Sequence, residues 1–221
     1  MANKTTRVRI TLIALGCCCV AAAAALGVYN DWEARKAADS AQELTNAFTA
    51  MLASSSSSGN NSVSASGSPE ADAVNAVDPG LEDLTELDAG EIESVEVGGY
   101  DVCGSISIPA INIELAVISN WSYKHLKVSA CRFMGSPDGQ FIVMAHNYDR
   151  HFGRLSNLTE GATIVFTAAD SAVYVYRVYG TEIWATNQLA EVFKGDWDLS
   201  LFTCTYGGTN RVVVRCMLDQ G

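Results

Sequence analysis

The sequence predicts an all-β globular domain, preceded by an N-terminal transmembrane helix and a linker. About eight short runs rich in β-branched and aromatic residues lie between residues 100 and 221, with few helical patterns among them. Before them come an uncharged apolar stretch and then a tract rich in serine and acidic residues. This order predicts an antiparallel barrel or sandwich of about eight strands with short helices, behind a membrane segment.

The membrane segment is predicted at residues 10–29. These twenty residues carry no charge, and twenty is about the number needed to cross the apolar core of a bilayer. Residues 1–9 contain three basic and no acidic side chains, so we expect a single-pass signal-anchor with a cytoplasmic N-terminus and an extracellular body. Two cleaved leaders are alternatives: a signal-peptidase site in the alanines 21–25, or residues 15–17, which are similar to a lipoprotein cleavage box. The apolar run is long for a signal peptide, which favours the uncleaved anchor.

Residues 30–99 connect the membrane segment to the globular domain. Apolar residues recur at helical spacing in residues 30–53, which predicts a juxtamembrane helix with no catalytic role. From 54 to 99 the chain is first Ser-rich and then acidic, a composition that buries too little apolar surface to fold. We therefore predict a disordered linker at 54–99 and a globular domain at 100–221.

The negative charge of the chain belongs to the linker. The net charge is −11, and ten acidic residues lie between Glu70 and Glu96. From Asp101 onward there are nine Lys or Arg and eleven Asp or Glu, so the globular domain is nearly neutral and no nucleic-acid partner is expected. No Cys or His residues have the spacing of a zinc site, so we expect neither a metal nor another cofactor.

The globular domain alternates short strands with turns. Predicted strands cover residues 105–109, 111–115, 140–145, 163–166, 173–179, 182–184, 199–204 and 211–216, with a short helix at 122–133. The last two strands form a hairpin around Gly207-Gly208, which suits a two-residue turn. In that register Cys204 lies opposite Arg211, and a thiol beside a permanent cation favours the thiolate. A three-residue loop would move Arg211 to the other face, and Arg215, two pairs further along, is the alternative cation.

Cys204 is the candidate nucleophile, and His146 is the candidate acid or base. His146 follows an apolar strand and begins a polar loop, a place where a rigid scaffold presents side chains to a cleft. His125, in the predicted helix, and His151, in the following loop, are alternatives. A Cys, His and Arg set supports acyl transfer through a thioester. The simpler interpretations are a half-buried strand cysteine and a surface histidine.

These residues resemble the sortase signature. Leu199-Ser-Leu-Phe-Thr203-Cys204, with Arg211 on the next strand, is similar to the family's T-L-x-T-C strand and its following arginine, with Ser200 where the family often has Thr. Ala145-His146-Asn147 resembles the family's histidine motif, and the His151-Phe-Gly segment is similar to the segment that follows the family's histidine. Ser107-Ile-Pro109 resembles the family's first strand. The resemblance covers about residues 103–218 in the family's order, which is more specific than any single motif.

The resemblance implies an eight-stranded sortase-type β-barrel and a cysteine transpeptidase on a Gram-positive type cell membrane. Cys204 would attack an LPxTG-like sorting signal and form a thioester, His146 would transfer protons, and Arg211 would stabilise the oxyanion. Thr203 would contact the sorting peptide. The implied partners are surface proteins bearing a C-terminal sorting signal, and a cell-wall precursor or pilin amine as acceptor.

A class B-like sortase is the expected subtype, from residues 100–118, Asp196-Trp197 and the N-terminal anchor. Asp78-Pro79 resembles the lid motif of pilin-polymerising sortases, but Gly80 follows where an aromatic residue is usual. The alternatives are a pilin-polymerising sortase, a cysteine peptidase or hydrolase in which water replaces the amine, and a non-catalytic surface-binding barrel. In that barrel the cysteines would pair as disulfides, and the sequence leaves the pairing open for Cys103, Cys131 and Cys216.

Overall fold

A computed structural model describes residues 2–55 and 90–219 of the chain. Two α-helices are present in these ranges, α1 (Ala2–Ser55) and α2 (Tyr123–Leu126). The strands are β1 (Val95–Val97), β2 (Tyr100–Ile108), β3 (Ile113–Ile118), β4 (Ala130–Met134), β5 (Phe141–Met144), β6 (Thr163–Ala168), β7 (Val173–Ala185), β8 (Leu199–Cys204) and β9 (Asn210–Leu218). Short 3₁₀ segments lie at Pro109–Ile111, Phe152–Asn157 and Thr186–Phe193.

Strands β2 to β9 form a closed barrel of eight strands, which confirms the predicted fold class. They pair in the order β2-β3-β4-β5-β8-β9-β7-β6, and β6 pairs again with β2 to close the ring. Most pairs are antiparallel, but β3 with β4 and β5 with β8 are parallel. A parallel pair brings the C-terminal ends of two strands to the same edge of the sheet. The ends of β5 and β8 therefore meet, and these are the strands that precede the candidate histidine and cysteine.

The barrel strands are apolar on both faces in the region of β5, β8 and β9. Leu199 and Leu201 of β8 point into the barrel interior, whereas Phe202 belongs to a second apolar cluster on the outer face. Side chains alternate between the two faces of a strand, so Cys204 lies on the same outer face as Phe202. Met144 of β5 and Val213 of β9 belong to that outer cluster too.

Two strands differ from the sequence-based prediction. The helix expected at 122–133 ends at Leu126, and residues 130–134 form β4, paired with β5 through Cys131 and Met144. The Ser122 side chain caps α2 by accepting a hydrogen bond from His125 N at 3.0 Å. The segments 173–179 and 182–184 form one strand, β7, with an irregularity between Val178 and Gly180. The prediction misses β4 and counts β7 as two strands. These two errors cancel, so the predicted total of about eight barrel strands is still correct.

The chain divides into two compact units, residues 1–37 and 38–221. In the first unit, the part of α1 with described side chains exposes its large apolar residues, and α1 contains a stretch that is long and apolar enough to cross a membrane. In the second unit, the end of α1 packs on the barrel. Leu44 and Phe48 are buried in the outer cluster, and Thr45 Oγ1 accepts a hydrogen bond from Ala116 N at 2.8 Å. The segment predicted as a plain stalk is therefore in part a packing element of the globular unit.

The predicted linker lies largely outside the described residues, because these resume at Gly90. Arg132 Nη2 donates a hydrogen bond to Gly90 O at 3.1 Å, and β1 pairs with β2 through Val95 and Val102. The globular unit thus includes residues before position 100. The disordered linker remains a prediction for residues 56–89.

Candidate active site

His146 and Cys204 are brought together by the parallel pair β5–β8. Met144 of β5 is in register with Phe202 of β8, and Ala145 N donates to Phe202 O at 3.4 Å. Continuing this register by two residues places His146 beside Cys204. Neighbouring strands lie about 4.8 Å apart, so the two side chains leave adjacent backbones on one face.

Arg211 flanks Cys204 from the other side. The antiparallel pair β8–β9 places Cys204 directly opposite Arg211 and Thr203 opposite Val212. The predicted register is therefore the observed one. Cys204 lies on the middle strand, with His146 on β5 at one side and Arg211 on β9 at the other.

The hairpin turn differs from the predicted two-residue loop. Gly208 N donates to Thr205 O at 2.9 Å, and Thr205 N donates to Asn210 O at 2.9 Å, so four residues lie inside the last pair. Gly207 and Gly208 have φ values of 90° and 74°, a region that residues with a Cβ avoid. A four-residue loop keeps the register of a two-residue loop, because the Thr205–Asn210 pair flanks the loop in both cases.

The Arg211 guanidinium is buried and held by the hairpin itself. Its side chain is 1% exposed, and Nη1 donates to Gly208 O at 3.0 Å and to Asn210 O at 2.9 Å. Burial lowers the pKa of Arg211 from its ordinary value. Trp184 of β7 pairs with Arg211 in register on the far side. The cation is therefore fixed in place before any substrate arrives.

The Cys204 thiol does not show the expected preference for the thiolate. Burial raises its pKa above the ordinary value of 9.0, because removal of water disfavours the charged form. A raised pKa favours the protonated thiol, so a base beside Cys204 assists its attack.

Aromatic stacking supports His146. Its ring stacks on Tyr148 with centroids 3.8 Å apart and an angle of 10°. The Tyr148 ring then meets the buried His151 ring edge-on at 5.6 Å. A Cβ added at Gly153 would lie 2.5 Å from Asn147 O, so only glycine lets the 3₁₀ segment approach this loop so closely. The loop after His146 is thus packed against His151 and the 3₁₀ segment Phe152–Asn157.

Thr203 has a partner within the fold. It is 3% exposed, and its hydroxyl donates to Ala145 O at 2.8 Å. As the neighbour of Cys204 on the strand, Thr203 faces the opposite side of the sheet. The hydrogen bond joins the residues that precede His146 and Cys204, so it positions both. The predicted contact of Thr203 with the sorting peptide remains a prediction.

The alternative residues have structural partners. Arg215 contacts Glu182 at 3.4 Å and Ser200 Oγ at 2.8 Å, and its guanidinium lies over the Trp184 ring at 4.8 Å. His125 Nδ1 lies 3.1 Å from Asn120 O. These contacts account for both side chains without catalysis.

The other barrel cysteines lie away from the candidate site. Cys103, Cys131 and Cys216 are buried free thiols, and burial raises the pKa of Cys103 and of Cys216 to about 12. Among residues 2–55 and 90–219, no group of three His, Cys, Asp or Glu side chains could hold a metal ion. In this part of the chain Cys204 is the partly accessible thiol of the barrel.

Two hydrogen bonds across the site were not foreseen from the sequence. Asn147 Nδ2 donates to Thr205 O at 3.2 Å, and the Tyr206 hydroxyl donates to Asp149 Oδ1 at 2.9 Å. They join the loop after His146 to the turn after Cys204. The loop and the turn are distant in sequence and share no sequence pattern. The one signal in the sequence is that each follows a candidate catalytic residue directly.

A family model of the sortase domain matches residues 106–219, just over half of the chain. The chain belongs to the sortase family. The match includes both strands of the β5–β8 pair and the β8–β9 hairpin. This sortase is accordingly a cysteine transpeptidase, and sortases act at the cell surface on proteins with sorting signals.

Solved sortase structures share its fold. Sortase A from Corynebacterium diphtheriae has a TM-score of 0.50 and 20% sequence identity, over 55% of this chain and 62% of that chain. Sortase C1 from Streptococcus agalactiae has a TM-score of 0.48 and 30% identity, over 53% of this chain and 67% of that chain. No curated protein sequence gives a match. These neighbours do not assign the class of this sortase.

Proposed function

We propose that this sortase cleaves an LPxTG-like sorting signal through a thioester on Cys204 and transfers the protein to an amine of the cell wall. The observation that carries the proposal is the position of Cys204 between His146 and Arg211 in the strand register. A nucleophile, a proton carrier and a fixed cation on one face are the groups that acyl transfer requires.

The first half-reaction forms the thioester. His146 takes the thiol proton of Cys204 as the sulfur attacks the scissile carbonyl, and this help is favoured because burial raises the pKa of that thiol. Arg211 donates hydrogen bonds to the carbonyl oxygen as it gains negative charge. The imidazolium of His146 then protonates the leaving amine, and the carbon–nitrogen bond breaks.

The second half-reaction releases the product. The acceptor amine attacks the thioester carbonyl, and His146 removes a proton from the attacking nitrogen. The carbon–sulfur bond breaks, and the proton returns to the sulfur of Cys204. A new amide is formed and the free thiol is restored, with no net change in oxidation state.

The apolar part of α1 anchors the enzyme in the membrane. Its length and composition fit one crossing. The basic residues before it support a cytoplasmic N-terminus and an extracellular barrel. In that orientation the partners are surface proteins with a C-terminal sorting signal, and the acceptor is a cell-wall precursor. A pilin amine is the alternative acceptor.

A class B-like enzyme that anchors proteins to the wall is the subtype that we propose. Residues 100–118, the Asp196-Trp197 pair and the N-terminal anchor support it. Asp78-Pro79, which resembles the lid motif of pilin-polymerising sortases, lies outside the described residues. It therefore does not help to choose between the subtypes.

The decisive experiment incubates the full chain in detergent with an LPxTG peptide, with and without an amine acceptor. Mass spectrometry is expected to show a peptide thioester on Cys204 and a ligated product when the amine is present. Cys204→Ala should form neither, with an unchanged circular dichroism spectrum. Only hydrolysed peptide at every amine concentration would assign a hydrolase. A Cys204 found entirely in a disulfide would exclude the thioester mechanism.

A further inference from the structure

A polar cleft opens beside the loop that follows His146. Its volume is about 430 Å³. One wall is the end of α1 near Gln42, the second is the turn between β2 and β3, and the third is the loop at residues 149–154. All three walls belong to the globular unit.

The cleft presents charges of both signs. Glu114 and Asp149 contribute carboxylates, and Arg150 and Arg154 contribute guanidinium groups. Arg154 and Asp149 approach each other only to 3.9 Å, and their side chains are 45% and 67% exposed. An exposed pair at this separation contributes little to folding stability, so the stability of the fold does not explain the arrangement.

The cleft is joined to the catalytic face. Asp149 lines it and also accepts the hydrogen bond of Tyr206, two residues after Cys204. The loop from His146 to Arg154 runs from the candidate base to the cleft wall. The loop that begins at the candidate base therefore also lines the cleft.

The order of the strands separates the acyl group of the sorting peptide from the two amines of the reaction, the one that leaves and the one that arrives. The scissile carbonyl of the sorting peptide must lie where Cys204 attacks and Arg211 binds the oxygen, which is the β9 side of β8. The acceptor amine has to give its proton to His146, which is the β5 side. An acceptor site on the arginine side would place the attacking nitrogen away from its base.

We infer that this cleft binds the amine acceptor, a peptide that carries both a primary ammonium and carboxylate groups. Asp149 and Glu114 hold the ammonium, and Arg150 and Arg154 hold the carboxylates. The bound amine then loses its proton to His146 and attacks the thioester as described above. This inference rests on the proposed function and adds to it the chemistry of the second substrate.

The test measures how the thioester divides between transfer and hydrolysis within each variant. The full chain in detergent receives an LPxTG peptide and one of three acceptors: acetyl-Glu-Lys, acetyl-Gln-Lys-amide, or hydroxylamine. The first two share a lysine amine but differ in carboxylates, and hydroxylamine is too small to require the cleft. Asp101→Asn, an exposed carboxylate outside the cleft, is the matched control.

Asp149→Asn is expected to lower the transfer-to-hydrolysis ratio for both lysine acceptors about tenfold, the effect of losing roughly one charge-assisted hydrogen bond. The double variant Arg150→Gln/Arg154→Gln should remove the preference for acetyl-Glu-Lys over acetyl-Gln-Lys-amide. The ratio for hydroxylamine should stay within about twofold in both, and Asp101→Asn should match the wild type.

Two results would overturn the inference. One is an unchanged ratio for both lysine acceptors in Asp149→Asn. The other is an equal loss in Tyr206→Phe, since that variant keeps the carboxylate and removes only the hydrogen bond. A wild-type chain that neither hydrolyses nor transfers the peptide would contradict the proposed function instead. In that case, calorimetric binding of acetyl-Glu-Lys to the Cys204→Ala chain decides the inference: binding that needs Asp149 supports it, and absent binding overturns it.

Discussion

Cys204 lies directly opposite Arg211 across the antiparallel pair β8–β9, and the Arg211 guanidinium is tied to two carbonyls of the connecting turn. The cation is thus positioned by the hairpin that also carries the nucleophile. Arg215, on the same face of β9, lies opposite Ser200 and is occupied by Glu182. We therefore expect replacement by lysine to have different effects at Arg211 and at Arg215.

Arg211→Lys should lower kcat/KM for peptide cleavage by about 10²-fold, the effect of losing one oxyanion donor, because an ammonium cannot reproduce the planar fork. The measurement is steady-state cleavage of an LPxTG peptide. Arg215→Lys is the matched control and should keep kcat/KM within about threefold while lowering the melting temperature, since its packing on Trp184 is lost. The opposite pattern would assign the catalytic cation to Arg215.

The raised pKa of Cys204 predicts slow alkylation near neutral pH. The folded chain holds a thiol proton that the unfolded chain releases at the ordinary value, so the rate with iodoacetamide should keep rising above pH 9. Mass mapping of the Cys204 peptide, in native and denatured chain, gives the two profiles. Cys103, which is buried, should stay unmodified in the native chain and serves as the internal control. A native plateau below pH 8 would show a stabilised thiolate and contradict the prediction.

Tyr148→Ala should lower kcat several-fold and shift the pH–rate profile, because a stacked aromatic pair contributes about 0.5–1.5 kcal/mol to the position of the His146 ring. Tyr148→Phe keeps the stacked ring and should retain both. Tyr179→Ala, which removes an exposed aromatic packed on Trp197, is the control for a general loss of stability. An unchanged pH–rate profile in Tyr148→Ala would show that the stacking has no positioning role.

Thr203→Val should destabilise the fold by about 1–2 kcal/mol, because it leaves the Ala145 carbonyl without this hydrogen bond. Urea unfolding measures the free energy, and KM for the sorting peptide is measured in parallel. Thr203→Ser keeps the hydroxyl and should restore most of the stability. A higher KM with unchanged stability would instead support the contact with the sorting peptide implied by the family resemblance.

Local patterns predicted some strands and missed others for a physical reason. The buried run at 141–144 and the 199–216 hairpin were predicted because apolar and β-branched residues cluster around short turns. Residues 130–133 fall in the segment 122–133 that the sequence predicts as a short helix. Pairing with β3 and β5 makes them a strand, and that pairing is decided by long-range contacts.

The sequence by itself predicted that Cys204 faces Arg211 for a hairpin loop of two residues, and the strand pairing decided between that register and the one of a three-residue loop. The sequence also determined the apolar helix and the near-neutral barrel, which depend only on composition along the chain. Only the tertiary structure decided that His146 stands beside Cys204, because the two strands pair in parallel across 58 residues and no local pattern encodes such a pairing. It also decided the direction in which the Cys204 pKa shifts, because burial depends on everything packed around the thiol.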